Sequence, residues 1–231
     1  MTRGFVDIHS HFVYGLDDGA RTITEMETML DAAHADGVVS LFATPHVTPG
    51  VKPFDSAKYE SRLNQARRYC RERGYSMQLF SGAEVLYTPM LQQYCMEHRL
   101  PTLGDSEFVL MEFVPGVKLQ ELESALTLMK RNGYIPILAH IERYNCLYRG
   151  RTAAKLKERY NVRYQVNANT VLSDQGYFRT RKIRSWFENE LVDFIASDAH
   201  NVQNRRTKLR KAFSTLKKQY GQQAEQLMGL R

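Results

Sequence analysis

The chain has 231 residues, 43% of them hydrophobic and 25% charged, with 32 Lys and Arg against 25 Asp and Glu for a net charge of +7. This balance suits one globular domain over residues 1–231 and excludes a disordered chain, while no apolar run reaches membrane-spanning length. Cys70, Cys95 and Cys146 form no CxxC pair and no disulfide framework, which points to a reducing cytoplasm, and MTRGFVDIHSH leaves no room for a signal peptide.

Short apolar runs alternate with amphipathic segments. Strands are predicted at Phe5 to Ile8, Val38 to Ala43, Met77 to Ser81, Phe108 to Glu112, Ile135 to Ala139, Arg163 to Val166 and Val192 to Ala196. Between them, Met26, Met29, Leu30 and Ala33 make one helical stripe, with Thr24 as cap and Gly37 as stop. Tyr59, Leu63, Ala66 and Cys70 make a second behind an Asp55 cap, and Leu119, Leu122, Leu126 and Met129 a third before Gly133. These stripes face a core and carry no chemistry. Such alternation predicts parallel strands joined by right-handed crossovers, and seven of them suggest a distorted β/α barrel. Thr48 to Asp55, with Pro49, Gly50 and Pro53, reads as a loop over the functional end. Positive charge gathers at Arg62 to Arg73 and Arg205 to Lys218, both read as solvated helix faces. Without the aromatics of a stacking platform they do not predict a nucleic-acid partner.

Nearly every strand is followed by a residue that binds metals. His9 and His11 follow FVDI, His46 follows VSLFATP, Glu84 follows QLFSGA, Glu112 closes FVLME, His140 follows IPILA, and Asp198 and His200 follow VDFIAS. Imidazole and carboxylate are the ligands of zinc, manganese or iron. An HxH alone is a weak signal, but alternate residues of an extended chain point the same way, and the donor types recur after strand upon strand. In a β/α barrel the active site forms at the carboxyl ends of the strands, where all these residues lie. In GLDDG, Asp17 and Asp18 are ordinary turn residues, one of which could fold back onto a metal. Arg143 and Arg205 follow close behind His140 and His200, and the planar guanidinium fork suits phosphate oxygens. Asn167, after YQV, is either a polar contact at the same rim or a plain strand end.

The motifs FVDIHSH, DDGA, ATPH, GAEV, MEF, HIERY, QVNA and SDAHN, in this order from Val6 to Arg205, resemble the PHP-type, manganese-dependent protein-tyrosine phosphatases of bacterial capsule and exopolysaccharide operons. The resemblance implies a TIM-like barrel with three divalent metals, manganese before zinc, iron or magnesium. It implies a substrate that is the phosphotyrosine tail of a cognate bacterial tyrosine kinase. It groups His9, His11, Glu84 and Asp198 on one metal, Glu84, Glu112 and His140 on a second, and Asp18, His46 and His200 on a third. Arg143 and Arg205 fall on the group's catalytic arginines, and His200 or a metal-held water is the candidate general acid. Homo-oligomers are compatible with this reading. The sequence departs from the pattern in VTPG after ATPH, where relatives have a basic residue or second histidine, and in ending shortly after QLMGL.

These residues suit metal-assisted hydrolysis of a phosphomonoester, with divalent ions activating water and the arginines stabilising the transition state. A cysteine-based phosphatase needs C-x5-R, which none of the three cysteines offers. The rival readings are a small-molecule phosphatase of the histidinol-phosphate type, a PHP exonuclease and a metal-bound regulatory module without turnover.

Overall fold

The computed structural model describes residues 4–229; the terminal residues, including the end of the chain, lie outside the described range. In chain order the strands are β1 (Phe5–Ser10), β2 (Val38–Ala43), β3 (His46–Val47), β4 (Gln78–Ser81), β5 (Glu84–Leu86), β6 (Phe108–Glu112), β7 (Ile135–Leu138), β8 (Arg163–Asn167) and β9 (Phe194–Ala196). The helices are α1 (Ile23–Asp36), α2 (Ser56–Glu72), α3 (Leu91–Met96), α4 (Leu119–Arg131), α5 (Thr152–Tyr160), α6 (Ala168–Leu172), α7 (Tyr177–Glu188), α8 (Leu209–Tyr220) and α9 (Gln223–Leu227). None is long and apolar enough, among the described residues, to cross a membrane. All strand pairs are parallel, in the orders β1-β2-β4 and β3-β5-β6-β7-β8-β9.

Nine segments stand where seven strands are expected because the strands ending at Ala43 and Ser81 each resume, after a two-residue gap, in a short segment that the predicted strands do not include. Ala43 pairs with Ser81, and three residues further along both chains His46 pairs with Glu84, so the register runs on across the gap. Pro45 has no N–H to offer a ladder, and the gap's backbone groups find other partners. The Tyr59 hydroxyl, from α2, accepts from Gly82 N at 2.9 Å and lies 3.1 Å from both the Ala43 and Gly82 carbonyls, one of which takes its proton. The break lets His46 and Glu84 be aimed independently of the strands before them. At the other margin the sheet curls until the residues after β9 meet β1. Asp198 N donates to His9 O at 2.9 Å, His11 N donates to Ala199 O at 2.8 Å, and Ser10 and Ala199 form a parallel bridge.

The helices form where polar caps meet apolar stripes. Thr22, not Thr24, caps α1, accepting from Glu25 N, and Gly37 ends it in the left-handed region. Asp55 caps α2 through Lys58 N. The first two stripes are buried as expected. In α4 the core face is Leu122, Ala125, Leu126 and Met129, whereas Leu119 is 37% exposed because it opens the helix at the rim. The second basic stretch is helical only from Leu209, so Arg205 to Lys208 lie in the preceding loop. The strand expected from Val192 begins at Phe194, while β1 extends through His9 to Ser10.

Candidate metal centre

His9, His11, Glu84 and Asp198 each offer a donor atom within 4.8 Å of the others, and all four residues are buried. His9 Nε2 and His11 Nε2 are 3.2 Å apart, and Glu84 Oε2 lies 3.0 Å from the first and 3.3 Å from the second. Asp198 Oδ1 is 3.5 Å from His9 Nε2 and 3.7 Å from His11 Nε2. The far side of each ring fixes its tautomer. His9 Nδ1 faces Gln165 Oε1 at 3.1 Å, and His11 Nδ1 faces Asp17 Oδ2 at 2.7 Å. Both acceptors require a proton on Nδ1, so both Nε2 atoms present lone pairs to the same small volume. Glu84 Oε2 is buried there with no hydrogen-bond partner despite its neighbours' proximity. Nε2 atoms and carboxylate oxygens converging on one small volume fit a divalent cation, with Gln165 and Asp17 as the partners that orient its ligands.

Two further donor groups adjoin this one. His11, Asp18, His46 and His200 form the second, and His46, Glu84 and Glu112 the third. Asp18 Oδ1 lies 3.3 Å from both His46 Nε2 and His200 Nε2. His46 turns its other nitrogen, Nδ1, towards Glu84 Oε2 at 3.2 Å and Glu112 Oε2 at 3.7 Å. His140 Nε2 is 2.8 Å from Glu84 Oε1 and 3.5 Å from Glu112 Oε1. All nine expected donors therefore meet in one cluster, but the grouping differs in detail, with His46 reaching both neighbouring groups and Glu84 central to two. His200 Nδ1 faces the Asp198 carbonyl at 3.0 Å and so carries the proton, and its buried Nε2 has no hydrogen-bond partner. That tautomer offers a lone pair to the cluster, which suits a ligand better than a general acid.

Local backbone geometry aims these side chains. His140 (φ 34°) and Asp198 (φ 51°) both take left-handed conformations at the ends of β7 and β9, which for residues other than glycine costs of order 1–3 kcal/mol and recurs at functional sites. Gln165 Oε1, accepting also from His140 N at 2.8 Å, holds the first of these turns. In the β1–α1 loop Gly19 packs so closely on His11 that a Cβ would stand 2.1 Å from its carbonyl oxygen. Only glycine lets Asp17 and Asp18 double back over β1.

Electrostatics follow from burial and contact. Without a cation, burial opposes charge on His11, but Asp17 and Glu84 outweigh it and push the imidazole up to about 10, so a bound metal ion would take the place of the Nε2 proton; Asp17, also buried, is lowered to about 2 by the same hydrogen bond. Burial would raise the Glu84 and Asp198 carboxyls, yet the surrounding imidazoles hold both below their ordinary values. Glu112 is raised, by burial and then by Glu84. His200 is lowered to about 4 by burial and by His11, leaving it neutral at pH 7.

Two arginines close the rim. Arg143 Nη2 lies 2.6 Å from Asp198 Oδ2, while Arg205 reaches Asp198 Oδ1 at 3.3 Å and Asp18 Oδ2 at 3.1 Å. Both are more than a third exposed, so their outer N–H groups face solvent above the cluster. Asn167 does belong to the site, donating through Nδ2 to Asp198 Oδ2 at 2.8 Å and accepting from Gln165 Nε2 at 2.7 Å. Sequence reasoning missed Gln165 and chose no role for Asp17. For Gln165 the available signal was its place two residues before Asn167, on the same face of a buried strand.

A curled parallel α/β sheet carrying clustered histidines and carboxylates beside arginines defines a candidate polynuclear metal centre for an anionic substrate. The chain belongs to the CpsB/CapC family of capsular polysaccharide synthesis, whose model matches residues 5–229. It is 28% identical over 221 residues to the tyrosine-protein phosphatase CpsB of Streptococcus pneumoniae, covering 94% of this chain and 91% of that protein. It is 26% identical to the tyrosine-protein phosphatase YwqE of Bacillus subtilis, covering 94% of this chain and 85% of YwqE. Among solved structures it resembles those described for YwqE and CpsB as metal-dependent tyrosine phosphatases, with TM-score 0.85 and 26% identity over 97% of this chain and 91% of the other. A histidinol phosphate phosphatase from Lactococcus lactis shares the fold, with TM-score 0.58 and 16% identity over 94% of this chain and 93% of the other.

Proposed function

We propose that this protein is a metal-dependent protein-tyrosine phosphatase that removes phosphate from the phosphotyrosine tail of a bacterial tyrosine kinase controlling capsular or exopolysaccharide synthesis. The observation that carries the proposal is the convergence of the His9 and His11 Nε2 lone pairs on Glu84 and Asp198 beneath the guanidinium groups of Arg143 and Arg205. The named phosphatase relatives support the same reading. The protein works as one domain in the cytoplasm, its strands, with β2–β3 and β4–β5 each counted as one, forming a seven-stranded distorted barrel with the active site at the strands' carboxyl ends.

His9, His11, Asp18, His46, Glu84, Glu112, His140, Asp198 and His200 would hold three divalent ions, manganese before zinc, iron or magnesium. When bound, such ions activate water at neutral pH and neutralise phosphate charge. Arg143 and Arg205 bind the outer phosphoryl oxygens and stabilise the charge that develops on them. Asp17 and Gln165 hold His11 and His9 in the required tautomers. Tyrosine leaves as a phenolate of pKa about 10, which reduces the demand for a strong acid and accords with a neutral His200.

The test offers purified protein and manganese a phosphotyrosine peptide, histidinol phosphate and single-stranded DNA, with chelator and His140→Ala as controls. Phosphotyrosine turnover abolished by both controls is expected. Efficient cleavage of either alternative beside negligible phosphotyrosine turnover would reject the assignment.

A further inference from the structure

Arg205 and Arg206 are consecutive in the loop between β9 and α8, yet they serve different places. Arg205 grips Asp18 and Asp198 at the donor cluster. Arg206 instead lines a cavity of about 670 Å³ together with Lys208, Arg210 and Lys211. A second cavity, of about 400 Å³, adjoins both. It is bounded by Asp18 and His200 at the cluster and by Val202, which also lines the basic cavity.

Four cations face this cavity with one carboxylate among them. That carboxylate, Asp36, is already engaged, accepting from Thr207 Oγ1 at 2.7 Å, Leu209 N at 2.6 Å and Arg210 N at 3.3 Å at the start of α8. Lys208 has one bond, from Nζ to Asn169 Oδ1 at 2.6 Å, and Arg210 Nη2 donates to Ala35 O at 3.2 Å. Among the described residues the Arg206 and Lys211 side chains have no hydrogen bond or ion pair. In the other basic stretch Arg62, Arg67 and Arg73 engage Tyr14 O, Asn64 and Asp31 respectively, while Arg68 and Arg71 stand exposed on α2. Packed like charges repel one another, and a local excess of three positive charges in a concave, largely unengaged site attracts an anion. A single carboxylate on a ligand would leave most of that excess uncompensated. A phosphoryl group, carrying about −1.5 to −2 at pH 7, matches it better and accepts several such donors at once.

We propose that this cavity is a subsite for a second phosphoryl group on the substrate peptide, bound by Arg206, Lys208, Arg210 and Lys211 while the reacting phosphotyrosine occupies the donor cluster. The proposal rests on the phosphatase reading above. An extended peptide advances about 3.3 Å per residue, so the phosphate spacing that binds best reads out the span from the cluster to the basic cavity along the path over Val202. The enzyme thereby prefers multiply phosphorylated segments, and Arg205 and Arg206 divide one loop between chemistry and selection.

The test measures Kd for peptides of one sequence that carry non-hydrolysable phosphotyrosine analogues, either singly, doubly at a series of spacings, or with Glu in the second position. Turnover of an aryl phosphate is followed in parallel. For wild type, the best doubly substituted peptide should bind at least tenfold tighter than the single one, with the Glu peptide between them. Arg206→Ala/Lys211→Ala, two exposed positions, should erase that advantage and leave aryl phosphate turnover within twofold; the charge-retaining Arg206→Lys/Lys211→Arg should restore most of it. Equal affinity for all peptides, an advantage that survives the alanine variant, or an equal loss from Arg68→Ala/Arg71→Ala on α2 would overturn the subsite. Absence of aryl phosphate turnover in wild type counts against the phosphatase reading alone, because the Kd comparison still decides the subsite.

Discussion

Asp17 Oδ2 lies 2.7 Å from His11 Nδ1, on the side of the ring away from the donor cluster, and also accepts from His46 N at 2.9 Å. One carboxylate thus sets the tautomer of one candidate ligand and the backbone position of another. Partners of this kind typically contribute 10–100-fold to metal affinity. Asp17→Asn should accordingly weaken manganese binding by that amount while the protein remains folded, as read by metal titration. Unchanged affinity would mean that Asp17 only shapes the loop.

The same pair makes the metal-free protein's stability depend on pH. His11 is raised to about 10 from 6.5, so its contribution is complete below pH 6.5 and is lost as pH rises through 10. Asp17 is lowered to about 2 from 3.8, so its contribution is present above pH 3.8 and is lost as pH falls through 2. Both are therefore in force between about pH 4 and 6.5. The larger His11 shift also includes Glu84, so the share belonging to Asp17 is closer to its own shift, about 2 kcal/mol. Denaturant melts of chelator-treated wild type and Asp17→Asn should differ by about that amount at pH 5.5 and converge only as pH passes about 10; a constant difference across the range would exclude this origin.

Gln165 is fully buried and connects three candidate ligands, accepting from His9 Nδ1 and His140 N and donating to Asn167, which in turn donates to Asp198. Gln165→Leu leaves two buried donors without acceptors, each costing about 1–3 kcal/mol. Urea melts should show a loss of about 2–6 kcal/mol on this basis, and metal titration a weaker site. Wild-type metal affinity in this variant would remove Gln165 from the centre.

Arg143→Ala and Arg205→Ala should each lower kcat by about 10²–10³, the scale of losing one preorganised donor to developing charge. Metal content, measured by atomic absorption, should stay near that of wild type. Arg143→Lys should recover little, because a point charge does not reproduce the fork. Loss of metal in parallel with kcat would assign these arginines to holding Asp198 instead.

Cys70 and Cys95 are buried, and burial pushes both thiols up to about 11, so neither is a thiolate at neutral pH. Replacing all three cysteines with alanine should leave phosphotyrosine turnover within about threefold, allowing for a small packing loss. A folded, metal-loaded triple variant without activity would require a different chemistry.

Much of the fold was legible because its cause is local. The apolar runs of β6 and β7, the Met26–Ala33 stripe and the Asp55 cap each depend on neighbours within a few residues. Thr22 and Thr24 are both capping types, and only the path of the chain decides that the Thr22 hydroxyl meets Glu25 N. The breaks after Ala43 and Ser81 were hidden because Tyr59, distant in sequence, satisfies the interrupted ladder.

The sequence by itself determined most of the donor inventory, eight histidines and acids repeatedly placed at strand ends with an undecided Asp17–Asp18 pair in the turn after the first strand, since the two-residue period of a strand and the polarity of a β/α unit fix where such side chains emerge. Tertiary structure alone decided that Asp18 faces His46 and His200 while Asp17 stands behind His11, that His46 reaches two donor groups, that Gln165 ties His9 to His140, and that Arg205 and Arg206 diverge. Those choices rest on contacts between residues far apart along the chain, and they are made when the sheet curls β9 back onto β1.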